Sequence, residues 1–195
     1  YYKNLVLNGS EIYSVSAEDS VTAEPNLLLK SDQEISQICR AVRSGENNYL
    51  VYCHEEDRKL VLQRFDNEGK PLWGVNGKVY NNIENVYSAL PDNQGGIIIM
   101  DIYYRNYADA SNNINICHIN ENGAVDWSKK NVIRSVAYPL FFDYLPVTDS
   151  FGNIKILVIK ENGPYLYFID INGDLIKEVK FNARASVQIF NQSDK

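Results

Sequence analysis

Two histidines, three cysteines and 25 carboxylates are the groups in this 195-residue chain with the most chemistry to offer. His54 leads a His54-Glu55-Glu56-Asp57 run that a metal ion could use. The run follows an apolar stretch, however, and reads as a solvated loop after a strand. His118 stands in a strand-like stretch ahead of Gly123, so strand alternation decides whether its ring is buried. Asp170-Ile171-Asn172-Gly173-Asp174 carries oxygens at alternating positions but lacks the remaining ligands of a calcium loop, and reads as a plain turn. There is no H-E-x-x-H, no G-x-S-x-G and no phosphate-binding loop. Acid–base carboxylate pairs are defined by geometry, which spacing alone does not supply. No catalytic residue, metal ligand or cofactor site is therefore assigned, and the chain is expected not to be an enzyme.

Cysteine spacing leaves two readings open. Cys39 and Cys53 each stand seven residues from Glu46, at the middle of an expected turn. In a regular antiparallel hairpin they face each other. They are either two small buried residues or, in an exported protein, a disulfide. Cys117 has no evident partner, and no Cys/His spacing suggests zinc.

The best candidate for recognition is the stretch from Tyr103 to Asn113, YYRNYADASNN. Tyr103, Tyr104, Arg105 and Tyr107 are side chains that binding hot spots favour, and tyrosine faces stack on sugars. The stretch lengthens one connection: Gly95 to Gly123 is 28 residues, against 24 and 21 for the equivalent intervals beside it. An added loop on a rigid scaffold is a common place for function; the alternative is a loop packed on its own sheet.

The elements that position these groups repeat. Leu60 to Val79, LVLQRFDNEGKPLWGVNGKV, reads as strand, turn and strand. It returns at Ile114 to Ile133, at Pro164 to Phe181 and, at the start of the chain, from Tyr2 to Val15. The turn glycines are Gly9, Gly69, Gly123 and Gly173, at spacings of 60, 54 and 50 residues. Asn and Asp near each glycine can bond the turning backbone, and Gly accepts positive φ. Four residues beyond the glycine come Tyr13, Trp73, Trp127 and Lys177. Rings at a repeated place suggest wedges between neighbouring sheets, so Trp73 and Trp127 read as structural. A second series, Gly45, Gly95 and Gly152, runs in step at 50 and 57 residues.

Hairpins at this period imply an all-β fold, a β-propeller with about three complete four-stranded blades and parts of a fourth. Residues 1–195 read as a single propeller region. The blades are expected near 1–17 (partial), 34–80, 83–133, 138–181 and 186–190 (partial). They form an arc of a larger propeller or a four-bladed ring; the arc is favoured because fewer than four blades are complete. Tyr1 falls in mid-strand with no initiating Met, which suggests a mature product or a fragment.

The D-x-x-G-x-x-x-W pattern of Asp66-Gly69-Trp73, looser at Asn120-Gly123-Trp127, resembles propeller repeats of secreted and surface proteins of Bacteroidetes-type bacteria. It is also similar in look to the tryptophan-docking repeat of PQQ-type propellers, although that repeat usually sets its Asp four residues before the Gly. The resemblance implies a propeller of a secreted or cell-surface protein, or a periplasmic one. It brings no PQQ site, since no cofactor-binding set maps onto these residues.

A net charge of −6 without long runs argues against nucleic acid or an anionic membrane surface as the main partner. No apolar run approaches the roughly 20 residues of a membrane helix, so no membrane-spanning segment is expected. The expected function is a non-catalytic binding or scaffold module that recognises a protein or glycan through blade loops. The alternative is a propeller enzyme that acts on glycans with loop-borne carboxylates.

Overall fold

The structure, a computed structural model, describes residues 4–15, 26–54, 56, 59–84, 86–104, 112–136, 146–160 and 163–181. Among them every regular element is a strand. Contacts divide the chain into two units, residues 1–89 and 90–195.

The first unit opens with β1 (Asn4–Asn8), β2 (Glu11–Val15) and β3 (Asn26–Lys30), an antiparallel three-stranded sheet. The short strand from Asn26 thus joins the N-terminal hairpin. Next come β4 (Ile35–Ser44), β5 (Asn47–His54), β6 (Lys59–Phe65) and β7 (Lys78–Glu84), four antiparallel strands in chain order. Ile12 and Leu29 of the first sheet share a core with Ile35, Leu50, Tyr52, Val61 and Phe65 of the second. At this seam the amide of Ser31 donates to the Ser10 carbonyl (2.8 Å) and that of Ile35 to the Gly9 carbonyl (3.2 Å).

The boundary between units falls within β8 (Val86–Pro91), the first strand of a third sheet that continues through β9 (Ile97–Tyr104), β10 (Asn112–Ile119) and β11 (Val125–Val136). The fourth sheet is β12 (Val147–Thr148), β13 (Ile154–Lys160), β14 (Gly163–Ile169) and β15 (Leu175–Lys180). Strands in the middle of a sheet with both faces covered need apolar residues at consecutive positions. The run Ile97-Ile98-Ile99-Met100 is such a strand, with every side chain fully buried. Residues 186–190, expected as a further strand, lie outside the described residues.

One turn recurs. Asp66, Asp92, Asn120, Asp149 and Asp170 each use one side-chain oxygen to accept from the amides two and four residues ahead, at 2.7–3.0 Å. The glycine three residues on holds positive φ, for example +83° at Gly152 and +79° at Gly173. There an L side chain would be strained. The inner turns at Asp92 and Asp149 and the outer turns at Asp66, Asn120 and Asp170 are therefore one motif, D/N-x-x-G-x. The turns at Gly9 and Gly45 differ. Each is a two-residue hairpin loop, closed by the pairs Asn8–Glu11 and Ser44–Asn47.

The expected pairing of Cys39 with Cys53 is corrected. The loop Gly45-Glu46 shifts the hairpin axis by half a residue, and a bulge between Ile38 and Arg40 shifts it further. Gln37 therefore lies opposite Cys53. The Cys39 side chain is outside the described residues. Cys117 is a free, buried thiol whose pKa burial pushes up to about 12.

Candidate functional site

The chemistry-bearing residues of the second unit converge on His118. The residue sits in β10, paired with Ile98 on one side and Trp127 on the other. Its Nε2 lies 2.8 Å from Asp92 Oδ2 and its Nδ1 lies 3.0 Å from Asp126 Oδ2. Asp92, with only 4% of its side chain exposed, comes from the turn between β8 and β9, where its other oxygen caps that turn. Asp126 comes from β11 and also accepts from Asn120 Nδ2 (2.6 Å). The imidazole stacks on the Trp127 indole with centroids 5.8 Å apart and an interplanar angle of 21°. Gly96 leaves room for this closure: a β-carbon there would stand 2.6 Å from Asp92 Oδ2 and 3.0 Å from His118 Nε2.

The electrostatics follow. A neutral imidazole has one N–H and cannot donate to two carboxylates; an imidazolium has two. The hydrogen bond to Asp92 raises the His118 pKa most, the charges of Asp92 and Asp126 add to it, and burial opposes. Both ring nitrogens are committed, so neither is left to take a proton from a substrate. The group is a clasp that ties an inner turn, a central strand and an outer strand of one sheet.

Trp127 carries the clasp across to the next sheet. A β-carbon on Gly173 would stand 2.5 Å from the indole Cζ3. Lys129 Nζ reaches Asp174 Oδ1 at 2.7 Å beside it. At the inner end of the same seam, Asn93 Nδ2 donates to the Asp149 carbonyl (2.7 Å), and a β-carbon on Gly152 would stand 2.7 Å from the Asp92 carbonyl oxygen. Two glycines therefore mark the close approaches between the third and fourth sheets.

In the first unit the neighbouring positions do related work. Gln63, fully buried, accepts from the amides of Arg64 and Trp73 and donates to the Gly74 carbonyl. Tyr52 Oη donates to the Asn76 carbonyl, and Asn76 exchanges two bonds with Asp32. These anchors seat residues 71–77. Arg64 Nη2 donates to Asn47 Oδ1, which links the outer hairpin to an inner strand as His118 does in the third sheet. Trp73 tilts against Tyr49 (5.9 Å) beneath Lys78 Nζ (4.8 Å). Tyr13 turns its hydroxyl onto Glu11 of its own strand (2.6 Å), and Lys177 is exposed.

The residues singled out from sequence fall apart in the structure. His54 is not in a solvated loop: it is the last residue of β5, buried to 4% exposure, edge-on to Tyr52 at 5.8 Å. The backbone of Tyr103 and Tyr104 continues β9, opposite Asn113 and Asn112, so the connection is shorter than the sequence suggests. Their side chains, and all of Arg105 and Tyr107, lie outside the described residues. Asp170 spends its Oδ1 on two amides of its own turn. Among the described residues no three His, Cys, Asp or Glu side chains gather as a metal ion needs.

Four-stranded antiparallel sheets, each a meander in chain order and repeated along the chain, decide the architecture. The fold is a β-propeller. No protein-family model matches the chain, and no curated protein does. Among solved structures it is similar to a luciferin-regenerating enzyme, at 10% identity and TM-score 0.50, over 90% of this chain and 58% of that one. It is also similar to the β-propeller domain of the trilobed protease from Pyrococcus furiosus (13% identity, TM-score 0.49, 82% of this chain and 47% of that one). The Dos1 propeller is comparable, at 12% identity, TM-score 0.49, 89% of this chain and 44% of that one. The chain thus spans about half the length of the structures it matches. At such identities the likeness speaks to fold alone. No helix among the described residues is long and apolar enough to cross a membrane.

Proposed function

We propose that this propeller is a non-catalytic binding or scaffold module of a secreted or cell-surface protein, and that it recognises a protein or glycan through its blade loops. The observation that carries the reading is the closure of the Asp92–His118–Asp126 clasp. The strongest acid–base constellation among the described residues is consumed in holding one sheet together, with both imidazole nitrogens bonded and the ring stacked. The Asx turns take the inner and outer hairpin ends of the third and fourth sheets. The connection that holds Arg105 and Tyr107 leaves from the opposite strand ends, at Tyr104 and Asn112. Recognition by Tyr103, Tyr104, Arg105 and Tyr107 would leave the clasp untouched. We further propose that the chain is an arc of a larger propeller, related to the Bacteroidetes-type repeats that its D-x-x-G-x-x-x-W turns resemble.

A glycan array and a panel of chromogenic glycosides test the function together. Binding without turnover is expected, and Tyr104→Ala with Arg105→Ala should weaken that binding while leaving the melting temperature nearly unchanged. Turnover that disappears in His118→Gln would overturn the reading. A large stability loss in the loop variant would show that the loop is packing instead.

A further inference from the structure

Asn-Gly sequences are chemically labile because the glycine nitrogen, unshielded by a side chain, can attack the asparagine amide. Four such pairs fall within the described residues: Asn8-Gly9, Asn76-Gly77, Asn122-Gly123 and Asn172-Gly173. Their settings differ. In the Asx turns the glycine amide is already committed: Gly123 donates to the Asn120 carbonyl at 2.8 Å and Gly173 to the Asp170 carbonyl at 2.9 Å. The Asn76 side chain is held at both atoms by Asp32, its Oδ1 by the amide and its Nδ2 by the carboxylate. Asn8-Gly9 has neither restraint. Asn8 ends β1 in the pair Asn8–Glu11, which closes the exposed two-residue loop Gly9-Ser10 and leaves the Gly9 amide outside the ladder. Exposure does not separate the sites, since Asn122 and Asn172 are exposed as well; amide bonding does.

We propose that Asn8-Gly9 is a self-modification site, at which asparagine converts to aspartate and isoaspartate in the folded protein while the other three pairs are held back. The Gly9 nitrogen gives its proton to solvent base and bonds to Asn8 Cγ. The Cγ–Nδ2 bond breaks and ammonia leaves, which closes a five-membered succinimide. Water then opens the ring at either carbonyl, giving the aspartyl or the isoaspartyl product, with no oxidant or reductant required. The product places a carboxylate opposite Glu11, whose own carboxylate already takes Lys30 and Tyr13. The isoaspartyl form also adds one backbone atom to the hairpin whose Gly9 and Ser10 carbonyls hold Ile35 and Ser31. Conversion therefore loosens the seam between the first and second sheets, and the site times the age of that contact.

The test is peptide mapping by mass spectrometry, with enzymatic isoaspartate labelling, of the full chain held in mildly alkaline buffer, folded and in denaturant. Asn8 should convert roughly tenfold faster than Asn122 or Asn172 when folded, because those turns must open first. The difference should vanish in denaturant. Asp170→Ala, which strips the cap from the Gly173 turn, should speed conversion at Asn172, and Asn8→Gln should abolish the fast product. Asn122 or Asn172 keeping pace with Asn8 in the folded chain would overturn the proposal, as would a preference for Asn8 that persists in denaturant.

Discussion

The indole of Trp127 lies across the α-carbon of Gly173, so close that a β-carbon there would stand 2.5 Å from Cζ3. One residue is at an outer strand of the third sheet, the other in the outer turn of the fourth. Gly173→Ala should cost about 2–4 kcal/mol, from overpacking added to positive φ. Trp127→Ala removes a half-buried ring and should cost somewhat less than the about 3–5 kcal/mol of a fully buried one. The two losses should not add: in the Trp127→Ala background, alanine at 173 meets no ring. Denaturant melts of the four members of this cycle check the coupling, and additivity would sink the contact.

The clasp makes stability depend on pH. The His118 pKa is raised in the fold, so the clasp's contribution is complete below the unfolded value of about 6.5 and is lost as pH rises through the folded value. Melting temperature should fall over that window. His118→Gln should flatten the fall, and Asp92→Asn should reduce it. A proton-detected titration of the two imidazoles should place His118 above its ordinary value; a normal or lowered value would refute the clasp.

Each Asx turn rests on one oxygen that accepts two amides, a demand that Asp and Asn meet equally. Asp149→Ala and Asp170→Ala should therefore each destabilise by about 1–2 kcal/mol, as loss of a cap does. Asp170→Asn should be nearly silent, since Asn120 already fills the same role. Chemical denaturation of the three variants is sufficient; a large loss in Asp170→Asn would mean that charge matters more than the acceptor.

Gln63 is fully buried and bonds three backbone groups of the outer hairpin. Gln63→Leu keeps the volume and strands those groups, so it should cost about 2–3 kcal/mol. Hydrogen exchange should accelerate at the Trp73 amide. Unchanged exchange there would show that the anchor is not what seats the loop.

The architecture was legible because turn chemistry is local. Gly69, Gly123 and Gly173 with their Asp or Asn three residues ahead specify a turn that needs no tertiary help. The same spacing stands at Asp92-Gly95 and Asp149-Gly152, which identifies the inner turns as copies of the outer ones. Gly9 and Gly45 lack an Asp or Asn three residues ahead and close as two-residue loops. The clasp was not legible, because Asp92 and His118 are 26 residues apart in sequence and meet only through strand register. One local sign did exist: the doubled glycine Gly95-Gly96, where the second is needed for space. Bulges carry no sequence signature, and the one beside Cys39, together with the two-residue loop Gly45-Glu46, displaced the expected cysteine pair. Lys177, the odd member of the Tyr13, Trp73, Trp127 series, is exposed.

That lysine has a wider meaning in light of strand order. β7, β11 and β15 are the last strands of their sheets, and each carries lysine: Lys78, Lys129 with Lys130, and Lys177 with Lys180. The same strands also expose apolar residues, among them Val79, Val125 and Ile176 at 45%, 48% and 64%. An unpaired strand of that kind is a template for a foreign strand, and a charged side chain along it is what keeps such a strand from docking. The outer strands are thus guarded against self-association by their lysines, and a chain with Lys177 and Lys180 replaced by valine would be one that aggregates.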